Sequence, residues 1–184
     1  MKSQLKEAKR FGFIVCITRA EIDPGRDLAE IVAIGKQWFL ARIIGDHIRY
    51  NGFSLMRIDD VTQLDAPHRY ADFVKRALEL RDEQPPDAPD IDLKSTEKAL
   101  RSACEAARVV SIHWEELAPD ECSIGRYVET VGKEFSFREV NPKARWNRDL
   151  AEHSLADLTR IDLLAGYEEA LADVLDDDAR QAAR

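Results

Sequence analysis

The sequence predicts a mainly β protein with flanking helices, an α+β chain built as two tandem five-stranded small barrels. Three observations predict it. Short apolar/polar alternations rich in Val, Ile and Phe recur in both halves of the 184 residues and read as strands. A boundary separates them: residues 82–93 read D-E-Q-P-P-D-A-P-D-I-D-L. Pro85, Pro86 and Pro89 withhold amide donors and Asp87, Asp90 and Asp92 keep the stretch solvated, so it reads as a semi-rigid linker. A long surface loop inside one domain is the alternative.

The third observation is a repeat. A shift of 97 residues lays the first half on the second without a gap. Gly35-Lys36 falls on Gly132-Lys133, Asp60 on Asp157, Thr62 on Thr159, Asp65 on Asp162, Tyr70 on Tyr167 and Leu78 on Leu175. Apolar class persists at Ile31/Val128, Trp38/Phe135, Leu40/Phe137, Ile58/Leu155, Val61/Leu158 and Leu64/Ile161. A buried face constrains class more than identity, so this is the trace an internal duplication leaves. The domains are then 1–81, a linker over 82–93, 94–178, and a tail over 179–184.

The elements follow in order. Residues 2–10 are helix formers with Leu5 and Ala8 apolar. Residues 13–18 read as a strand buried on both faces. Two strands, 28–34 and 38–43, flank Gly35-Lys36, where a Gly at the first loop position suits a two-residue type II′ hairpin. Short strands at 52–58 and 61–64 precede a helix marked by Tyr70, Phe73, Val74, Ala77 and Leu78. The second half repeats the plan. Ser95 caps a helix over 96–107. Strands follow at 109–114, 127–131 and 134–140, with Gly132-Lys133 between the last two. Strands near 150–155 and 158–161 lead to a helix carrying Tyr167, Ala170, Leu171, Val174 and Leu175.

A leading helix plus five short strands resembles the Sm-like branch of the SH3-like small barrels. The late-strand segments F-S-L-M-R-I-D-D-V-T-Q-L and H-S-L-A-D-L-T-R-I-D carry the likeness, over roughly residues 2–66 and 96–163. They are similar to the apolar-x-Asp-apolar-x-x-apolar ending of many bacterial proteins of this type. RNA-binding Sm proteins place an Asp and an Asn between the second and third strands, where this chain has Gly-Lys. They place Arg-Gly before the last strand, where it has Arg57-Ile58-Asp59-Asp60 and Ser154-Leu155-Ala156-Asp157. The family's RNA-reading residues are therefore not carried over.

Charge narrows the function further. The formal charge is −8. Residues 1–84 balance at +1 and residues 85–184 at −9, so the second half repels nucleic acid at long range. No run is long and apolar enough for a membrane span, and Met1-Lys2-Ser3-Gln4 leads into charge rather than a signal core. Three cysteines without a C-x-x-C fit a reducing cytoplasm.

No catalytic motif stands out. His113 beside Trp114 and Glu115 could act as a base, but a strand histidine with an exposed tip is the simpler reading. Cys16, Cys104 and Cys122 match no zinc spacing, and Cys16 and Cys104 read as small core residues, so neither metal nor cofactor is expected. Asp59-Asp60 reads as a turn, and Tyr70 and Tyr167 as packed rings with a bonded hydroxyl. Lys2, Lys6, Lys9 and Arg10 form a solvated helix face. Residues 143–148, K-A-R-W-N-R, combine Lys143, Arg145 and Arg148 with Trp146, a mix that can stack a base and neutralise phosphate.

The expected function is a non-enzymatic protein-interaction or assembly module, acting on a protein partner or on itself. The alternative is RNA or single-stranded nucleic-acid binding through the 143–148 hairpin, joined by Arg42, Arg49 and Arg57.

Overall fold

Ten strands that the periodicity predicts are present, and all belong to one antiparallel sheet. The computed structural model describes residues 1–182. The strands are β1 (Ile14–Arg19), β2 (Asp23–Ile34), β3 (Trp38–Ile44), β4 (Tyr50–Arg57), β5 (Gln63–Asp65), β6 (Val110–His113), β7 (Cys122–Val131), β8 (Glu134–Asn141), β9 (Arg145–Trp146), β10 (Ala151–Ser154) and β11 (Arg160–Leu163). The helices are α1 (Lys2–Phe11), α2 (Ala71–Leu80), α3 (Thr96–Ala106) and α4 (Gly166–Ala182). Among the described residues the strand that periodicity missed is β9, whose two residues are too few to alternate.

The sheet runs β10-β8-β7-β6-β11-β4-β3-β2-β1-β5, with β9 attached to β8. It is open, with β10 and β5 at its ends. The first half contributes β4-β3-β2-β1-β5 and the second β10-β8-β7-β6-β11. The halves meet where β11 pairs with β4: Ile161 lies opposite Leu55 and Leu163 opposite Phe53.

Two large apolar clusters hold the sheet. One gathers Leu5, Val15, Ile17, Ile31, Phe39, Met56, Val61 and Leu64, all from the first half. The other joins Trp38, Leu40, Phe53 and Leu55 to Leu100, Val110, Ile112, Phe135, Phe137, Ile161 and Leu163. It spans both halves, so the second half completes its core with first-half side chains. The linker belongs to this packing: Ile91 and Leu93 lie against the shared cluster, and the Asp92 amide donates to Ser102 Oγ at 3.0 Å.

The ladders assign matching places. Val15 pairs with Ala29 as Val110 pairs with Gly125. Phe39 pairs with Met56 as Phe135 pairs with His153. Leu64 pairs with Ile17 as Ile161 pairs with Ile112. The offset is therefore 95 residues at β1, 96 along the β2–β3 hairpin and 97 only from β4 onward. One extra residue in the β6–β7 connection and one between β8 and β10 account for the drift. Trp38 and Leu40 do not take the places of Phe135 and Phe137; Phe39 and Ala41 do.

Gly35 and Gly132 also part company. Gly132 has φ 68 and sits between the paired Val131 and Glu134, the expected two-residue hairpin. Gly35 has no left-handed φ. A Cβ there would lie 2.5 Å from the Leu93 carbonyl oxygen, so Gly35 is required by the linker crossing it.

Helix signals hold with shifts. Ser95 accepts from the Lys98 amide at 3.3 Å, the expected N-cap. On α2, Val74 and Leu78 are buried but Phe73 is exposed. On α4, Leu171 and Ala172 are buried while Val174 faces out. Tyr70 and Tyr167 are exposed rather than packed, because each stands at the solvent side of a helix start. The expected tail is helical through Ala182; residues 183–184 lie outside the described residues.

Candidate functional site

Beside the sheet junction, charged side chains from both halves converge. Arg19, at the end of β1, donates to both carboxylate oxygens of Glu115 at 2.6 and 2.7 Å, and the residues are only 1% and 5% exposed. Arg19 also bonds Asp23 at 3.2 Å. Arg160 bonds Asp162 at 2.8 Å and lies 3.7 Å from Asp23. His113 Nε2 stands 3.0 Å from Asp162. Burial alone would raise the Asp162 carboxyl, but Arg160 and His113 outweigh it and hold it well below the usual carboxylate range. Burial likewise opposes Glu115, and Arg19 prevails, again lowering its pKa. His113 is thus a covered strand residue tied to a carboxylate, not one with an exposed tip. Its hydrogen-bonded setting fits a structural role.

Thr62 and Thr159 do the same work in the two halves. The Thr62 amide and hydroxyl both donate to the Thr18 carbonyl, at 2.9 and 3.1 Å, and the hydroxyl accepts from the Ala20 amide. Thr159 donates in both ways to the His113 carbonyl and accepts from the Glu115 amide. Each threonine steers the chain from a turn into the last strand of its half. Asp60 does not pair with Asp59; it accepts from Arg57 Nε at 2.6 Å, within the 3-10 turn Ile58–Asp60 and its preceding residue.

The cations proposed for nucleic acid divide in two. Arg42 pairs with Glu30 at 2.6 Å, Arg49 with Glu83, and Arg57 with Asp60 and Glu116. Those three are neutralised. Lys143, Arg145 and Arg148 are exposed, and among the described residues none forms an ion pair. Trp146, 38% exposed, shares their hairpin, where β9 pairs with the end of β8. Asn141 Oδ1 accepts from the amides of Lys143 and Arg145 and shapes the turn.

The cysteines and histidines regroup in a way their spacing does not show. Cys104 lies under β7, its sulfur accepting from the Tyr127 amide, with burial pushing its thiol up to about 11. Cys122 is exposed opposite His113. Cys16 meets Asp65 and His68, with one ligand atom from each inside 4.8 Å of the others. Sequence reasoning placed Cys16 in the core, read Asp65 only as a repeat position matching Asp162, and gave His68 no role. Only the β1–β5 register brings them together.

The two ends of the sheet are its remaining open features. At β10 the Leu155 amide donates inward to the Lys133 carbonyl, so alternation turns the Glu152 amide outward. Among the described residues, no helix is long and apolar enough to cross a membrane. No protein-family model, curated protein or solved structure matches the chain.

Proposed function

We infer that the protein is a non-enzymatic assembly module, two tandem Sm-like barrels of duplicated origin, which associates head to tail with further copies of itself. The observation that carries this reading is the β11–β4 junction. There the last strand of one half is zipped onto the fourth strand of the other. The strands in the matching places, β5 and β10, end the sheet and, among the described residues, have no neighbour on their outer sides. Repeating the junction between copies sets Leu64 opposite Glu152 and Gln63 opposite His153. An edge with unused amides is a template for such pairing. The shared strand order supports duplication, and the paired core positions and matching threonines support it further. Three free thiols fit a cytoplasmic setting.

Because the two edges differ, the contact is heterologous and builds rings or filaments. Light scattering across a concentration series tests it. Wild type should gain mass with concentration. Glu152→Pro, which removes an outward amide together with the carboxylate that accepts from Ser136 Oγ at 2.7 Å, should stay monomeric, whereas Glu152→Ala, which loses the carboxylate alone, should still gain mass. A wild type that stays monomeric up to about 1 mM, where even about 4 kcal/mol of association would show, overturns it.

A second reading rests on the 143–148 hairpin, whose three cations and Trp146 stay exposed and unpaired among the described residues. It has the hairpin bind single-stranded nucleic acid. Trp146→Ala and Arg145→Ala should then each weaken oligonucleotide binding, by about 1–3 kcal/mol for the stacking residue. Absence of wild-type retention at about 0.15 M salt ends that reading.

A further inference from the structure

We propose that Cys16, Asp65 and His68 form a transition-metal site, with Zn²⁺ the ion best matched to the donors. This goes beyond the assembly reading and does not depend on it. Cys16 and Asp65 lie directly opposite across the β1–β5 ladder, so their side chains share a face. Val15 and Ile17, on either side of Cys16, point into the first-half core. Cys16 therefore points to the other face, beneath the start of α2. The His68 amide donates to the Ile14 carbonyl at 2.8 Å, which anchors the imidazole beside the same strand.

A thiol, a carboxylate and an imidazole thus converge from three separate places in the chain, their ligand atoms mutually within 4.8 Å. Tetrahedral zinc needs such atoms about 3.3–3.7 Å apart, given bonds of about 2.0–2.3 Å. Side-chain rotation covers that difference. His68 Nδ1 supplies a second, independent pointer: it is buried and has no hydrogen-bond partner. An unsatisfied buried nitrogen is costly, and a metal bond satisfies it.

The donor set selects the ion. Thiolate and imidazole suit zinc and its neighbours, whereas Mg²⁺ and Ca²⁺ take oxygen. Three protein ligands leave one position open. A cleft of about 260 Å³, lined by Arg26, Asp46 and Tyr70, reaches the cluster at His68. Burial and then Asp65 push the Cys16 thiol up; Asp27 adds to this, and Arg26 and Arg69 oppose it. Binding therefore converts the thiol to thiolate, forms the metal–sulfur bond and releases one proton to solvent. Affinity rises with pH accordingly.

Cobalt titration of the full chain, followed by displacement with zinc, tests the site. The expected result is one equivalent of Co²⁺ with near-ultraviolet thiolate-to-cobalt absorption, lost on adding Zn²⁺. Cys16→Ser should abolish that absorption. His68→Asn should weaken binding by more than the roughly 10–100-fold that loss of an outer-shell partner costs. Cys122→Ser, which removes the exposed thiol, should change neither. Circular dichroism of the metal-free variants checks folding. If Cys16→Ser fails to fold, the half-buried His68 variant decides. No thiolate absorption in the wild type overturns the proposal. So does absorption that survives Cys16→Ser or disappears in Cys122→Ser, or affinity unchanged by His68→Asn.

Discussion

The outer face of the sheet presents matching places twice, and the two halves fill them differently. In the first half they hold Cys16 and Asp65, with His68 alongside. In the second, Ser111 and Asp162 stand opposite each other in the same way. There Ser111 and Asp162 both find partners within the chain. Ser111 donates to Glu168, and Asp162 accepts from Arg160 and lies against His113. The first-half set keeps an unpartnered buried nitrogen. One backbone arrangement thus serves as a closed ionic lock in one half and an open donor cluster in the other.

The sharpest way to break this contrast is to neutralise the two carboxylates. Asp162→Asn takes the nearest carboxylate from Arg160, leaving Asp23 at 3.7 Å, and should cost about 2 kcal/mol in urea unfolding. Asp65→Asn, in metal-free buffer, should stay within about 0.5 kcal/mol of wild type. The Asp162 contribution also carries a pH signature. Its folded pKa is depressed, so the stabilisation is full above the unfolded value of about 3.9. It is lost as pH falls from there through the folded value. Equal costs for the two variants would erase the distinction.

A smaller effect compares the threonines. Thr159 is fully buried and Thr62 is exposed, although their hydrogen bonds match. Thr159→Val strands the Glu115 amide and should cost about 1–3 kcal/mol; Thr62→Val leaves the exposed Ala20 amide to water and should cost less than about 1 kcal/mol. Chemical denaturation of both variants reads the difference directly.

The smallest effect concerns Met56 and His153, which take matching places opposite Phe39 and Phe135. His153 stacks on Trp114 with ring centroids 4.8 Å apart. Burial lowers its pKa, with Glu139 opposing. Below about pH 6.5 the unfolded chain takes up a proton that the folded chain resists. Stability is therefore complete above that pH and declines as pH falls toward the folded value. His153→Met should flatten that decline, as measured by denaturation at pH 7.5 and 5.5.

Much of the scaffold was legible in the sequence because alternation, caps and hairpins are local. The two-sided burial of 14–17, the Ser95 cap and the Gly132 turn need only neighbouring residues. The 97-residue shift and the ladder register differ over β1–β3 for a physical reason. Trp38, Phe39, Leu40 and Ala41 are all buried, so apolar class matches equally well one residue to either side. The site was far less legible. Arg19 with Glu115, and Cys16 with His68, meet through ladders that join distant segments, and nothing in their spacing marks them. The spent cations were invisible likewise: Arg42 and Arg57 look like the free Arg145 until their carboxylates are placed beside them.

One feature of the topology bears on how the chain is made. The last of the eleven described strands in chain order, β11, occupies the middle of the sheet between β6 and β4. As the polypeptide leaves the ribosome, the first half therefore waits with the β4 edge bare. The shared core around Phe53 and Leu55 stays unfinished until residues 160–163 emerge. Folding is governed by closure between remote segments, the slow regime for a β protein. A chain interrupted before residue 160 would not merely lack a terminus; it would expose two strand edges at its centre, and those edges are what quality control in the cell has to recognise.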